Sequence, residues 1–298
     1  MMNDLLAGAL VLISLTLACL FVGWRYAGRL DARWSGMFAA VVVLTMAICL
    51  ILLQDSLYLV YLYPAPGAVV LGSTALPLIG LLGGTIAGRN RGKGKYSWRQ
   101  WLVPSLLIVL GIAHALHPFL GSVPDIAPPR LMNGIFMQTS NSSCSAASAA
   151  TLLAVYGIPA TEKEMASLCF TRQDGTSMLG VYRGLRMKTR GTPYAVSVLA
   201  GGNVEDLRRL SREGPLLLSV GLDRFSWKKI DPRYTEAWGW APGKRHAVVL
   251  FRFLPGEEVE IGDPSVGRER WKVESLSVLW HGDAIRLQPR LSTKKTRS

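Results

Sequence analysis

The fold of the second half of this chain is decided by one stretch. It reads Gln138-Thr-Ser-Asn-Ser-Ser-Cys144-Ser-Ala-Ala-Ser-Ala-Ala-Thr-Leu-Leu-Ala-Val-Tyr156-Gly157. Its Ala- and Leu-rich part predicts a helix that begins at Cys144 and ends at Gly157, with Ser142 or Ser143 as its N-cap. A thiol at a helix N-terminus feels the positive end of the helix dipole, which favours the thiolate. Cys144 is therefore a candidate nucleophile; the alternative is a small cysteine that only packs a helix start.

A histidine and an aspartate downstream supply the partners that a nucleophilic cysteine needs. His246 opens an apolar strand, and a turn at Pro255-Gly256 leads into a second strand that ends at Asp263-Pro264. The two strands form a predicted hairpin, in which residues at facing positions lie side by side. We therefore expect His246 to meet Asp263.

These residue types suit acyl-transfer chemistry when they converge. A carboxylate beside an imidazole fixes its tautomer and stabilises the imidazolium, which in turn holds a thiolate. Gln138 lies six residues before Cys144 and can donate its side-chain amide to an oxyanion alongside the Cys144 backbone N–H. The predicted catalytic set is Cys144, His246, Asp263 and Gln138.

The first half of the chain has a different composition. Of all 298 residues, 50% are hydrophobic and only 18% are charged, against about one quarter in soluble proteins. Of the 20 acidic residues only Asp4, Asp31 and Asp55 precede Pro124. The composition therefore predicts a membrane region followed by a soluble domain.

Four apolar stretches are each long enough to be a membrane-spanning helix of about 20 residues. They cover residues 5–24, 37–53, 67–88 and 101–120, within a region 1–122. A shorter aromatic segment around Tyr58, Tyr61 and Tyr63 is expected at the headgroup level. A Pro-rich linker at 123–130, a domain at 131–290 and a basic tail at 291–298 follow.

The short loops predict the orientation, because Lys and Arg gather on the cytoplasmic side. All eight basic residues before Pro124 lie in two alternate loops, and the N-terminus and the intervening loop carry none. The sequence thus predicts a multi-pass protein of the cell (inner) membrane, with its N-terminus and C-terminal domain extracytoplasmic. The first span has no basic residues before it, so we expect an anchor and not a cleaved signal peptide.

The soluble half resembles the double-glycine (bacteriocin-processing) leader peptidases, a papain-like cysteine peptidase family. The resemblance covers about 131–288 and rests on Gln138, Cys144, Tyr156-Gly157, His246-Ala-Val-Val, Asp263-Pro264 and Trp280-His-Gly282, in that order. It implies an α+β papain-like domain in which Gln138, Cys144, His246 and Asp263 do the chemistry. The family usually reads Asp-Cys-Gly at the nucleophile, whereas this chain reads Ser143-Cys144-Ser145.

The resemblance also implies a setting that this chain does not share. Family members are best known as cytoplasmic domains of ATP-driven exporters, whereas here the domain follows predicted membrane spans. Gly88-Arg-Asn-Arg-Gly-Lys93-Gly is one residue too short for a phosphate loop and no Ser or Thr follows Lys93. We expect a basic loop and no ATP binding.

Elements between the motif residues complete the predicted α+β domain. Residues 162–170, 176–188 and 203–213 are predicted helices, and 194–200 and 216–221 are predicted strands. The long segment 223–245 holds aromatic residues directly before His246: Phe225, Trp227, Tyr234, Trp238 and Trp240. They could line a substrate groove, or cover the core or touch headgroups.

Two histidines, a second cysteine and the basic residues of the soluble half suggest metal, disulfide and nucleic-acid roles. His114 and His117 share a helix face, but a metal site needs three or four ligands, so we expect neither metal nor cofactor. Cys169 could pair with Cys144 in an oxidising compartment; we prefer a packing role on a helix face. The soluble part has 25 basic and 17 acidic residues, scattered along it, which argues against nucleic acid.

These observations predict a membrane-anchored cysteine peptidase that cleaves peptides, with small or double-glycine residues before the cut implied by the resemblance. The expected partners are a peptide or protein substrate, the lipid bilayer and a membrane partner protein. The alternative is a catalytically silent peptide-binding domain of a membrane or export-associated protein, which the Ser-Cys-Ser sequence makes plausible.

Overall fold

The computed structural model describes residues 2–26, 29–52, 55–89, 99–116, 119–223 and 231–290. The chain divides into two compact units, Met1–Gly121 and Ser122–Ser298. The predicted basic tail, the loop around Lys93 and the residues His117, Phe225 and Trp227 lie outside the described residues.

The N-terminal unit is helical. Its helices are α1 (Met2–Arg25), α2 (Ala32–Leu52), α3 (Tyr58–Leu62), α4 (Ala68–Leu71), α5 (Ala75–Arg89) and α6 (Arg99–Leu116). Within the described residues two segments are long and apolar enough to cross a membrane, Asn3–Arg25 and Arg33–Leu50. They contain most of the first two predicted spans.

The predicted third span, 67–88, consists of two helices instead of one. Helix α4 ends at Leu71 and α5 starts at Ala75, with Pro77 in the first turn of α5. Pro77 has no N–H to donate to the carbonyl of Ser73, four residues earlier, and its ring crowds that carbonyl, which favours a break in the helix before this point. Helix α5 alone has 15 residues, fewer than a perpendicular span needs.

Helices α1 and α5 pack with their backbones in contact at glycines. A Cβ at Gly84 would overlap the carbonyl oxygen of Leu20, and one at Gly23 would overlap that of Leu81. Small residues that let backbones approach in this way are typical of helix pairs in membranes.

Helix α3 is one-sided. Tyr58 and Tyr61 are exposed while Leu59 and Val60 are buried. The headgroup-level position expected for this segment stays a prediction.

The C-terminal unit begins with a two-stranded hairpin and continues as three helices followed by a sheet with further helices. In chain order its elements are β1 (Arg130–Met132), β2 (Ile135–Met137), α7 (Cys144–Val155), α8 (Glu162–Leu168), α9 (Met178–Lys188), β3 (Tyr194–Leu199), α10 (Val204–Leu210), β4 (Leu216–Gly221), α11 (Arg233–Glu236), β5 (Arg245–Leu254), β6 (Glu258–Asp263), β7 (Gly267–Lys272), α12 (Val273–Leu279) and β8 (Trp280–Pro289). The predicted α+β class of this unit is confirmed.

The sheet has six antiparallel strands in the order β3-β8-β4-β5-β6-β7. Strand β4 is buried along its whole length, as expected for a central strand covered on both faces. One face carries an apolar cluster that joins the sheet to α10 and α12 through Leu207, Leu210, Leu276 and Leu279. Helix α7 packs against β4 and β5.

Several local predictions are confirmed. Strand β4 has the predicted bounds, and Asn203 caps α10 in a capping box with Asp206. Gly157 adopts a left-handed φ of 67° just after α7. The helices predicted at 162–170 and 176–188 are each shorter, Glu162–Leu168 and Met178–Lys188.

Candidate active site

Cys144 is the first residue of α7, as predicted. The helix is rich in small side chains, and Ala146, Ala147, Ala149 and Ala150 are fully buried, so it packs tightly against the sheet. Ser143 occupies the N-cap position, one of the two serines predicted there, but its side chain makes no cap bond. Its hydroxyl instead donates to the Ser140 carbonyl at 2.9 Å and accepts from the Ser140 N–H at 3.1 Å.

The β5–β6 hairpin brings His246 to Asp263. The pairing of the two strands begins at Val249 and Gly262, so Asp263 lies one position further and is a diagonal neighbour of His246. The two residues were expected to face each other directly; a diagonal pair remains within reach of longer side chains. His246 Nε2 donates to Asp263 Oδ1 at 2.9 Å.

The edge of β5 beside His246 is unpaired on the β6 side, because β6 ends at Asp263 and Pro264 has no N–H to donate. On this edge the backbone N–H and the carbonyl of Ala247 both form hydrogen bonds with side chains of α7. Its N–H donates to the Cys144 sulfur, and its carbonyl accepts from Ser148 Oγ at 2.9 Å. Cys144 and Ser148 are four residues apart, on one helix face, so one residue of β5 anchors the first turn of α7.

Asp263 is fully buried, and Ser265 in the turn that follows it donates two hydrogen bonds to its side chain. Its Oδ1 accepts the Ser265 N–H at 2.7 Å and the Ser265 hydroxyl at 2.6 Å, in addition to the His246 bond. Burial pushes the pKa of Asp263 up, but the charge of His246 and these hydrogen bonds outweigh it and leave the pKa below its usual range. Ser265 was not predicted, although Asp-Pro-Ser is a sequence that favours such a side-chain-to-backbone turn.

The Cys144 thiol and the His246 ring form a hydrogen bond. Burial alone would lower the pKa of His246, yet the Asp263 carboxylate and the Cys144 sulfur raise it to about 10. Burial raises the pKa of Cys144, but His246 and hydrogen bonds from Ala247 and Ser145 outweigh it and lower the pKa below that of an ordinary thiol. The two shifts favour a thiolate–imidazolium pair at neutral pH.

The aromatic residues before His246 belong mainly to the core. Tyr234 and Trp240 are buried in the cluster that includes Trp271, and the Trp240 ring lies 4.7 Å from the His246 ring. Of the two readings of this segment, core cover is thus confirmed for Tyr234 and Trp240. The Trp240 ring therefore packs against the His246 ring.

Gln138 lies next to the end of β6. Its backbone N–H donates to the Pro264 carbonyl at 2.8 Å, and its side-chain Nε2 donates to the Ser140 carbonyl at 3.2 Å. An amide nitrogen carries two hydrogens, so one remains for a further acceptor. The predicted site residues therefore converge, with Cys144, His246 and Asp263 in one hydrogen-bonded line and Gln138 tied to the residue after Asp263.

Cys169 is a free, buried thiol, and Cys144 is also free. The alternative of a Cys144–Cys169 disulfide is therefore wrong. Burial raises the pKa of Cys169 to about 12, against a smaller opposing influence of Arg183. Its preferred packing role is confirmed, and it lies at the end of α8 instead of on a helix face.

Among the described residues no three His, Cys, Asp or Glu side chains form a group that could hold a metal ion.

No family model matches the chain, and no curated protein matches it. It is similar to several solved structures. One is a double-glycine motif protease from an AMS/PCAT transporter, solved in complex with the leader peptide (21% identity over 57% of this chain and 97% of that chain, TM-score 0.39). Another is the peptidase domain of Streptococcus ComA, a bifunctional ABC transporter of a quorum-sensing pathway (20% identity over 52% of this chain and 96% of that chain, TM-score 0.40). A third is described as a C39-like peptidase from Bacillus anthracis (17% identity over 55% of this chain and 99% of that chain, TM-score 0.40). At these identities and TM-scores they assign no activity to this chain.

Proposed function

We propose that the C-terminal unit is a cysteine peptidase with Cys144 as nucleophile, His246 as general acid and base, and Asp263 as the group that orients His246. The observation that supports this most is the line of hydrogen bonds from the Cys144 thiol through His246 to the buried Asp263 carboxylate. Cys144 is also partly exposed, so a substrate carbonyl can reach the sulfur.

The proposed reaction has two halves. The Cys144 thiolate attacks the carbonyl carbon of a peptide bond, and the resulting oxyanion accepts hydrogen bonds from Gln138 Nε2 and the Cys144 N–H. As the C–N bond breaks, His246 gives its proton to the leaving amine and an acyl-thioester remains. His246 then takes a proton from water, whose oxygen attacks the thioester and releases the acid and the thiolate. Asp263 stays ionised throughout.

Ser145 takes a defined part in this scheme. Glycine at this position would let the backbone approach more closely, but the Ser145 hydroxyl donates a hydrogen bond to the Cys144 sulfur. The Ser143-Cys144-Ser145 sequence is thus compatible with a stabilised thiolate. The motif order shared with leader peptidases makes a peptide with small or paired-glycine residues before the cut the proposed substrate.

A thiol-directed peptidase probe is expected to label Cys144 and to leave Cys169 unlabelled, since Cys169 is buried with a pKa near 12. The labelling rate should already be high below the pH at which an ordinary thiol ionises, because the pKa of Cys144 is lowered. Peptide cleavage should fall as the pH rises through about 10, where His246 loses the proton that the leaving amine needs. Mass spectrometry of the labelled protein and a pH series measure both.

Labelling of Cys169 in place of Cys144, or a labelling midpoint at the pH of an ordinary thiol, would contradict the thiolate–imidazolium pair. The Cys144→Ala variant provides the background for both measurements.

We propose further that the N-terminal unit anchors the peptidase as a four-span protein, in which α4 and α5 together form the third span, with the peptidase outside the cytoplasm. The support is the apolar character of α1 and α2 and the placing of all eight basic residues before Pro124 in two alternate loops.

A reporter fused after Gln288 is expected to be active outside the cytoplasm, because an even number of spans returns the chain to the side of its N-terminus. A paired alkaline phosphatase and green fluorescent protein fusion measures this, with the same reporters after Arg89 as the cytoplasmic control. Phosphatase silence and fluorescence at Gln288 would contradict both the span number and the orientation.

A further inference from the structure

Glu162 is a buried carboxylate whose surroundings call for an explanation. Its side chain is 1% exposed at the start of α8, and within the described residues no lysine or arginine forms an ion pair with it. Burying a carboxylate is costly unless its oxygens are hydrogen-bonded. The hydrogen-bond partners of Glu162 therefore show what this side chain holds in place.

Both oxygens of Glu162 bind a single residue, Thr139. Oε1 accepts the Thr139 backbone N–H at 2.8 Å, and Oε2 accepts the Thr139 hydroxyl at 2.9 Å. Hydrogen bonds to a charged acceptor are stronger than neutral ones. The position of the Thr139 backbone is therefore set by α8, 23 residues later in the chain.

Thr139 directly follows Gln138, the proposed oxyanion donor. Gln138 is held from its other side by the bond from its N–H to the Pro264 carbonyl, 2.8 Å long. The two anchors act on adjacent backbone N–H groups, so together they fix the Cα of Gln138 and the direction in which its side chain leaves the loop. Oxyanion donors act only when they are placed in advance.

Thr139 also binds the linker that precedes the hairpin β1–β2. Its Oγ1 accepts the Ala127 N–H at 3.1 Å, beside the buried side chain of Ile126. The Thr139 hydroxyl thus accepts from the linker and donates to Glu162, which joins the linker and α8 at one atom.

We propose that Glu162 is a positioning residue for catalysis: through Thr139 it holds Gln138 where an oxyanion forms, and Ala127 ties the linker to the same threonine. This inference rests on the proposed peptidase function. If Glu162 acts in this way, the position of the oxyanion donor depends on α8, whereas the position of the Cys144 nucleophile does not.

The test compares Glu162→Gln with the unmodified full-length chain on a fluorogenic peptide that carries two glycines before the scissile amide. Glutamine keeps the size but loses the charge and one acceptor. We expect kcat to fall on the order of 10-fold to 10²-fold, as a small misplacement of a catalytic group does, with KM unchanged. Gln138→Ala, which removes the donor, should cost about 10²-fold to 10³-fold.

A second readout separates positioning from general damage. Alkylation of Cys144 by iodoacetamide needs the thiolate but no oxyanion donor, so its rate and pH profile should be the same in Glu162→Gln as in the unmodified chain. Glu164→Gln is the matched control on the same helix turn, where Glu164 is exposed and binds Lys188 at 2.8 Å; its kcat should not change.

A further pair of variants keeps the test informative if Glu162→Gln does not fold. Thr139→Val removes the hydroxyl that links Ala127 to Glu162 and should lower kcat, whereas Thr139→Ser keeps both bonds and should restore it.

Unchanged kcat in Glu162→Gln and Thr139→Val, or a parallel loss of kcat and alkylation rate, would overturn the positioning role alone. An unmodified chain that cleaves no peptide would overturn the proposed function and this inference with it.

Discussion

Replacing Cys144 by alanine is expected to abolish peptide cleavage while the C-terminal unit stays folded. The thiolate is the atom that forms the covalent bond, and removing the nucleophile of such a catalytic group costs on the order of 10⁶-fold in turnover. The structural cost is small, since the thiol is a small group on a partly exposed residue, and each of its hydrogen-bond partners His246, Ala247 and Ser145 loses one bond worth about 1 kcal/mol. Turnover of the fluorogenic peptide and a thermal melt measure the two effects.

Cys49→Ala, in α2, is the matched control for loss of a cysteine and should cleave normally. The Cys144→Ala variant also decides between the two classes of function. If cells keep their processing phenotype with Cys144→Ala but lose it when the whole C-terminal unit is deleted, the unit binds peptides and does not cut them.

Replacing His246 by alanine is expected to be about as damaging as replacing Cys144, because the thiol then loses the largest influence that lowers its pKa and the leaving amine loses its proton donor. The double variant should be no slower than either single one, since residues that act as a unit are not additive. Turnover and the alkylation rate of Cys144 should both fall. In the variants that affect the oxyanion donor, Gln138→Ala and Glu162→Gln, only turnover should fall.

Loss of His246 also leaves the Asp263 carboxylate buried with only Ser265 as partner, so some stability is lost as well, on the order of 3–5 kcal/mol. Activity is therefore compared well below the melting temperature of the variant. Asp263→Asn should lose less activity than His246→Ala, because the thiol–imidazole pair remains in reach but its tautomer is no longer fixed. His281→Ala, which changes an exposed histidine of β8, is the control and should cleave normally; equal losses in both histidine variants would argue against a specific role of His246.

Much of the candidate site could be predicted because it depends on local sequence. Cys144 at a helix start and Gly157 at its end follow from propensity and from the left-handed conformation that glycine allows. The hairpin follows from two apolar runs around a Pro-Gly turn, and it brings His246 to Asp263.

The predictions that failed were those in which a tertiary contact competes with a local rule. Ser143 has the right residue type and position for a cap, but its hydroxyl is used by Ser140. The sequence is compatible with a disulfide between Cys144 and Cys169. In the structure both thiols are free, and Cys169 packs between α8 and α9.

Sequence alone therefore determined the two unlike halves, the α+β class of the second, and the choice of Cys144, His246, Asp263 and Gln138 as candidate site residues, because composition, helix ends and strand periodicity are short-range properties. Only the tertiary structure decided how these groups are held. The diagonal geometry of His246 and Asp263 depends on where β6 stops, the hold on α7 depends on the unpaired edge of β5, and the bond from Thr139 to Glu162 joins residues 23 positions apart. Such contacts form only when separate elements pack, so no local pattern encodes them.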